Sequence, residues 1–174
     1  MADVVRLGII GLGQQGGMYA AVITQGMVPH MTVGAICDID PAKRDLARST
    51  YPGVPVFEDY LEMLDSGDVD AIITTVPHYL HPEMGIAALG RGIHALVDKP
   101  AGVYTQQANE LIDFAATKPE LTFGIMFNQR MNPLYQRLKA IVEAGEIGKV
   151  LRSNWIITTW WRPQGYYDSS AWRA

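Results

Sequence analysis

Gly11-Leu12-Gly13-Gln14-Gln15-Gly16 follows the apolar run Val4–Ile10 and opens the segment Gln14–Thr24. After a strand and before a helix, each glycine has a physical job. Gly11 permits the tight turn, Gly13 lets a diphosphate approach the backbone, and Gly16 lets helix and strand pack closely. The backbone from Gly11 to Gly16, with Leu12, Gln14 and Gln15 between the glycines, then offers N–H groups to an anion at the positive end of the helix dipole. Three glycines at this spacing can also serve an ordinary turn; the strand–turn–helix context is what points to a dinucleotide.

The second half of such a site is an acid at the end of the next strand, roughly 20 residues further on. Asp38 lies 22 residues beyond Gly16 and closes the run Val33-Gly34-Ala35-Ile36-Cys37. Its carboxylate could accept hydrogen bonds from the hydroxyls of an adenosine ribose and would repel a 2′-phosphate, which favours NAD over NADP. Lys43 and Arg44 could still admit NADP if they fold back. The other reading is that Asp38 only caps the Asp38-Ile39-Asp40-Pro41 turn, although Asp40, directly before Pro41, is the better cap.

Two further segments close apolar runs: Thr74-Thr75-Val76-Pro77-His78-Tyr79-Leu80-His81, and Asp98-Lys99-Pro100. Ligands of open parallel sheets gather beyond the carboxyl ends of the strands, so both segments belong on the cofactor side. Thr75 to Pro77 would pack against the nicotinamide ribose. His81, and after it His78, are candidate acid–base groups because imidazole exchanges protons near neutral pH. Standing before Pro82 at a helix start, His81 could instead bond the backbone. Lys99 also has two readings. Burial and the charge of an oxidised nicotinamide would disfavour its ammonium form, so that it takes a proton from a substrate hydroxyl. Alternatively it pairs with Asp98 or lies on the surface.

The elements that must position these residues alternate. Short apolar runs at Val4–Ile10, Thr32–Cys37, Val54–Phe57, Ala71–Thr74, Ile93–Val97 and Thr122–Phe127 are expected as strands. Helices are expected at Gln14–Thr24, Pro41–Ser49, Asp59–Asp65, His81–Arg91, Thr105–Thr117 and Pro133–Ala144. Near-continuous apolar strands separated by helices indicate a doubly wound parallel α/β sheet of Rossmann type. Beyond Gly148 the run Val150–Trp161 is β-branched and aromatic and reads as one extended strand, followed by loop-like Arg162–Ala174. We therefore expect a nucleotide-binding domain over 1–127. Residues 128–174 would be a connecting helix and the first strand of a truncated second α/β domain.

Composition narrows the classes. Hydrophobic residues make up 48% and charged residues 18% of 174, as in ordinary globular proteins. A net charge of −4 gives no reason to expect nucleic acid. The single cysteine, Cys37, excludes an intrachain disulfide and argues against a Cys-based metal site, so no metal is expected. No apolar run is long enough to span a bilayer and the amino-terminal run lacks a signal-peptide pattern, so a cytoplasmic protein is expected.

Taken in order, the glycine motif, Asp38, Thr75-Val76-Pro77 with His81, Ala88-Leu89-Gly90-Arg91-Gly92-Ile93-His94, Asp98-Lys99-Pro100, Arg130-Met131-Asn132-Pro133 and Gly145-Glu146-Ile147-Gly148-Lys149 resemble the glucose–fructose oxidoreductase and inositol dehydrogenase (Gfo/Idh/MocA) family. The resemblance implies NAD(P)-dependent oxidation or reduction of sugars, inositols or related polyols, and a second domain with an open, mostly antiparallel sheet. The family's Glu-Lys-Pro stands here as Asp98-Lys99-Pro100, which keeps the lysine used near the reacting hydroxyl. Asn128 and Arg130 match a segment that returns toward the cofactor. The family's later catalytic Asp and His have no counterpart in these residues, so the chain alone is expected to hold NAD without turnover. A catalytically silent NAD-binding fragment or sensor is the alternative. A methyltransferase would also place an acid after the second strand, but it leaves Asp98-Lys99-Pro100 without a use. Trp155, Ile157, Trp160 and Trp161 leave open both a homo-oligomer and a segment folded back on the first domain.

Overall fold

The computed structural model describes residues 4–159 and 161–169. The chain divides into two compact units, Met1–Met126 and Phe127–Ala174.

The first unit runs β1 (Val5–Ile10), α1 (Gln14–Thr24), β2 (Met31–Cys37), α2 (Pro41–Thr50), β3 (Val56–Phe57), α3 (Tyr60–Asp65), β4 (Ala71–Thr74), α4 (His81–Gly90), β5 (His94–Asp98), α5 (Thr105–Ala116) and β6 (Phe123–Met126). The six strands form one sheet in the order β3-β2-β1-β4-β5-β6, every neighbouring pair parallel. This is the expected Rossmann sheet. The strand order reverses between β1 and β4; in sheets of this kind the ligand crevice lies at such a reversal, beyond the carboxyl ends of the strands.

Alternation along the strands feeds a core on each face. Leu7, Ile9, Ile36 and Ile73 pack with Ala20 and Ile23 of α1 and Ala47 of α2. Ile10, Cys37, Ile72, Ala95 and Val97 pack with Met63 and Leu64 of α3, Ala88 and Leu89 of α4, and Leu111 of α5. Each fully buried Ile or Leu stabilises the fold by about 1.5–3 kcal/mol. Asp40 accepts from the amide of Ala42 at 2.9 Å and, with Pro41 at the first turn, starts α2 as expected. Most element ends fall within one residue of expectation, and two differences have a clear cause. β3 is reduced to two residues because only Val56 and Phe57 align with Ile36 and Cys37 of β2. β5 extends to Asp98, which aligns with Met126 of β6.

In the second unit, a 3-10 turn (Asn128–Met131) precedes α6 (Pro133–Glu143), capped by the Asn132 side chain on the amide of Leu134 at 3.0 Å. The extended strand expected at Val150–Trp161 is not formed over residues 150–159, and Trp160 lies outside the described residues. A strand is held by ladder hydrogen bonds to a neighbour, and a β-branched run without one has nothing to define it. The loop expected after Arg162 contains a short helix, α7 (Gln164–Asp168), where the Arg162 guanidinium stacks 4.5 Å over the Tyr166 ring. Among the described residues, no helix is long and apolar enough to cross a membrane.

Candidate functional site

The turn between β1 and α1 is tied from two sides. The amide of Gly11 donates to the carbonyl of Cys37 at 2.8 Å. The Thr75 hydroxyl lies within bonding distance of the carbonyls of both Gly11 and Ile10. Gly11 has φ +93°, and a side chain there would come 2.7 Å from the carbonyl oxygen of Thr75. A Cβ on Gly16 would fall on the Gly11 carbonyl and 2.6 Å from the Thr75 hydroxyl. Gly13 is different: nothing lies within 4 Å of a Cβ placed there. The space over Gly13 is open, and α1 begins there with no side-chain cap and no acid in its first turn. First-turn amides lack partners within their own helix, so these are available to an anion. Gln14 is exposed and Gln15 half-buried on that turn.

Asp38 ends the neighbouring strand and is 6% exposed. Its Oδ2 accepts from the amide of Leu12 at 2.7 Å, and its Oδ1 from the amide of Asp40 at 2.9 Å. A carboxylate has about four acceptor positions, so both oxygens keep capacity for further donors. Asp38 thus fastens the glycine turn to β2, a second role that spacing alone did not reveal. Lys43 Nζ stands 3.5 Å from Oδ2. Arg44 is engaged elsewhere: its guanidinium donates to the carbonyls of Asp38 and Ile39 at 3.0 and 2.8 Å and to Glu58 at 2.7 Å. The thiol of Cys37, one residue earlier, is pushed up to about 12, by burial first and by the Asp38 charge second.

On the other side of the switch point, Pro77 precedes a 3-10 turn, His78–Leu80, that leads into α4. His81 was expected as an acid–base candidate. It is 1% exposed, and both ring nitrogens face backbone carbonyls: Nδ1 that of Pro100 at 2.7 Å, Nε2 that of Val76 at 2.9 Å. With both nitrogens engaged, the backbone-bonding reading is the one this geometry matches.

Lys99 begins the turn after β5 and is exposed, so the desolvation expected of a buried lysine is not met here. No ion pair to it forms among the described residues. Asp98 Oδ1 instead accepts the Lys99 backbone N–H at 2.8 Å. His78 stands nearby, its ring centre 5.8 Å from that of His81. Burial holds the His78 imidazole below its ordinary range, the charges of His81 and Lys99 add to this, and Asp98 opposes it. Tyr19, which the sequence reading passed over, also belongs here. Burial raises its phenol, the Gln15 side chain acts against this, and the Asp98 charge adds to it. Its position four residues after Gln15 puts both on one face of α1, the signal that could have found it. Asn128 and Arg130 lie in the second unit, where the Arg130 guanidinium sits 5.3 Å over the Phe127 ring.

Comparison with known proteins gives a consistent match. The Gfo/Idh/MocA model, an oxidoreductase family with an NAD-binding Rossmann fold, matches residues 5–125. The chain is 30% identical over 148 residues to the uncharacterized oxidoreductase YrbE of Bacillus subtilis (strain 168), covering 85% of this chain and 42% of that protein. It is 25% identical over 151 residues to an inositol 2-dehydrogenase of Pseudarthrobacter chlorophenolicus, covering 87% and 44%. The crystal structure of scyllo-inositol dehydrogenase from Lactobacillus casei, with NAD(H) and scyllo-inositol bound, aligns with a TM-score of 0.80 at 28% identity, covering 84% of this chain and 43% of that one. The chain spans less than half the length of each of these three.

Proposed function

Because the chain belongs to the Gfo/Idh/MocA family of oxidoreductases, we propose that it is the cofactor-holding portion of an NAD-dependent enzyme that moves a hydride to or from a sugar, inositol or related polyol. The observation that carries this reading is the pairing of an open Gly13, at the uncapped start of α1, with a buried Asp38 carboxylate bonded to the amide of Leu12. A diphosphate fits the first, and ribose hydroxyls fit the second. The acid disfavours a 2′-phosphate, Arg44 is paired with Glu58 and Lys43 with Asp38 itself, so NAD is favoured over NADP.

When bound, NAD supplies the hydride acceptor. The chain's own residues then have these parts. The amides of Gly13, Gln14 and Gln15 hold the diphosphate, with Gly11 and Gly16 shaping the turn and the Leu12 amide kept on Asp38. Asp38 holds the ribose, and Thr75 and Pro77 form the wall beside the nicotinamide ribose. Lys99 Nζ, in its amine form, takes the proton of the substrate hydroxyl as the carbinol C–H bond breaks, and returns it in reduction. The crevice and its occupant, not the sheet, would provide the dry surroundings that an exposed lysine lacks. Asn128 and Arg130 are assigned to the segment that returns toward the cofactor. Residues 1–127 would form the cofactor domain and 128–174 the start of a substrate domain, with turnover requiring groups beyond Lys99.

The engagement of His81 favours a second reading, a cofactor-holding sensor, because it removes one acid–base candidate from the crevice. The two are separated by following NADH formation with a panel of polyols in a form carrying a complete second domain. The enzyme reading expects turnover that Lys99→Ala lowers while leaving NAD affinity nearly intact. Cofactor binding with no hydride transfer to any polyol would leave the sensor.

A further inference from the structure

His81 is a polar side chain at 1% exposure in a place where an apolar one of similar size would fill space at lower desolvation cost. Its two partners are carbonyl oxygens, which only accept, so each bond needs a hydrogen on the ring nitrogen. The bond to Pro100, the shorter of the two, therefore needs a hydrogen on Nδ1. The two oxygens belong to different walls of the crevice. Val76 follows Thr75 beyond β4, and Pro100 is bonded directly to Lys99 beyond β5. The Lys99 backbone N–H is fixed to Asp98 on the strand side. On the far side, Pro100 has no N–H, and its carbonyl is held by His81.

We infer that His81 is a positioning residue: by donating from Nδ1 to the Pro100 carbonyl it fastens the Lys99-Pro100 turn to the start of α4 and so sets where the Lys99 amine stands. This rests on the reading of Lys99 as the group that meets the substrate hydroxyl. The ring contributes no proton to the reaction; it holds the Lys99-Pro100 turn in place.

The wild-type chain tests the bonds directly. Long-range proton–nitrogen correlation spectra of the His81 ring are expected to show a hydrogen on Nδ1. A ring protonated only at Nε2 would overturn the proposal. Two variants then separate positioning from space filling. His81→Asn places an amide nitrogen near the Nδ1 position and keeps the tie to Pro100, whereas His81→Gln places one near Nε2 and keeps the tie to Val76. The reporter is Lys99 carrying carbon-13 methyl groups from reductive methylation, assigned by its loss in Lys99→Arg and read without cofactor. The Lys99 signal should keep its wild-type position in the Asn variant and move or broaden in the Gln variant, with similar melting temperatures for the two. Equal displacement in both, or in neither, overturns the inference. If neither variant folds, the wild-type ring spectrum decides alone. NADH titration of the same wild-type sample reports separately on the functional reading, since the ring and Lys99 signals need no cofactor.

Discussion

Replacing Asp38 by Asn keeps the shape of the side chain and removes one acceptor and the charge. In the native protein Oδ2 takes the Leu12 amide at 2.7 Å and Oδ1 the Asp40 amide at 2.9 Å. An asparagine can serve only one of them and turns its NH₂ toward the other, leaving a buried donor unsatisfied, at a cost of about 1–3 kcal/mol. The ion pair with Lys43, whose side chain is 41% exposed, adds little. For a chain of this size about 2 kcal/mol corresponds to a Tm lower by roughly 4–8 °C. The effect on cofactor has two parts. Loosening the Leu12 turn weakens NADH and NADPH alike, whereas losing the charge removes ribose bonds from NADH and repulsion from NADPH. Hydrogen bonds to a charged acceptor are worth about 1.5–3 kcal/mol, so the ratio of the two dissociation constants should move by roughly 10- to 100-fold toward NADPH. Nicotinamide fluorescence titrations with both cofactors, beside thermal melts, measure both parts. If Asp38→Asn and Asp38→Ala raise the two constants by the same factor, the ribose assignment is refuted.

The glycines should separate binding from folding. Gly13→Ala meets open space and should leave the melting temperature within about 2 °C while weakening NADH at least about tenfold; Gly16→Ala overpacks the turn and should cost about 1–3 kcal/mol in urea unfolding. Cys37, held up to about 12 by burial and Asp38, should resist thiol reagents at pH 8 until urea unfolds the chain; rapid labelling of the native protein would contradict its placement. His78 should titrate below the ordinary 6.5, because burial and then the charges of His81 and Lys99 disfavour its cation. With the folded value below the unfolded one, its contribution to stability is complete above 6.5 and is lost as pH falls through the folded value. Proton NMR should show the midpoint rising in Lys99→Met; no rise would place Lys99 away from His78.

Particular residues show where the sequence was legible. Ile72 and Ile73 face opposite cores, so unbroken apolar runs were a sound sign of a sheet covered on both faces. Gly11 and Gly16 were readable because their jobs are local, a positive φ and a close approach across one turn. Asp38 was found by distance along the chain, but its bond to Leu12 depends on how β2 lies against β1, which spacing does not encode. For His81 and Lys99 the sequence leaves two readings each, for a related reason. Each follows a buried strand, yet the chain turns inward at one and outward at the other, and only tertiary packing decides which. Val150–Ile157 has strand-forming residues, but propensity does not supply the neighbour that a ladder requires.

The claim on which the rest depends is that the cofactor lies on the glycine turn and Asp38. Titrating NAD⁺ into the nitrogen-15-labelled chain and following its amide resonances tests it residue by residue. The account predicts that the amides of Leu12, Gly13, Gln14, Gln15 and Asp38 move most, and that Gly13→Ala abolishes the response at the same concentrations. Saturable shifts centred elsewhere, with those five amides unmoved, would contradict it.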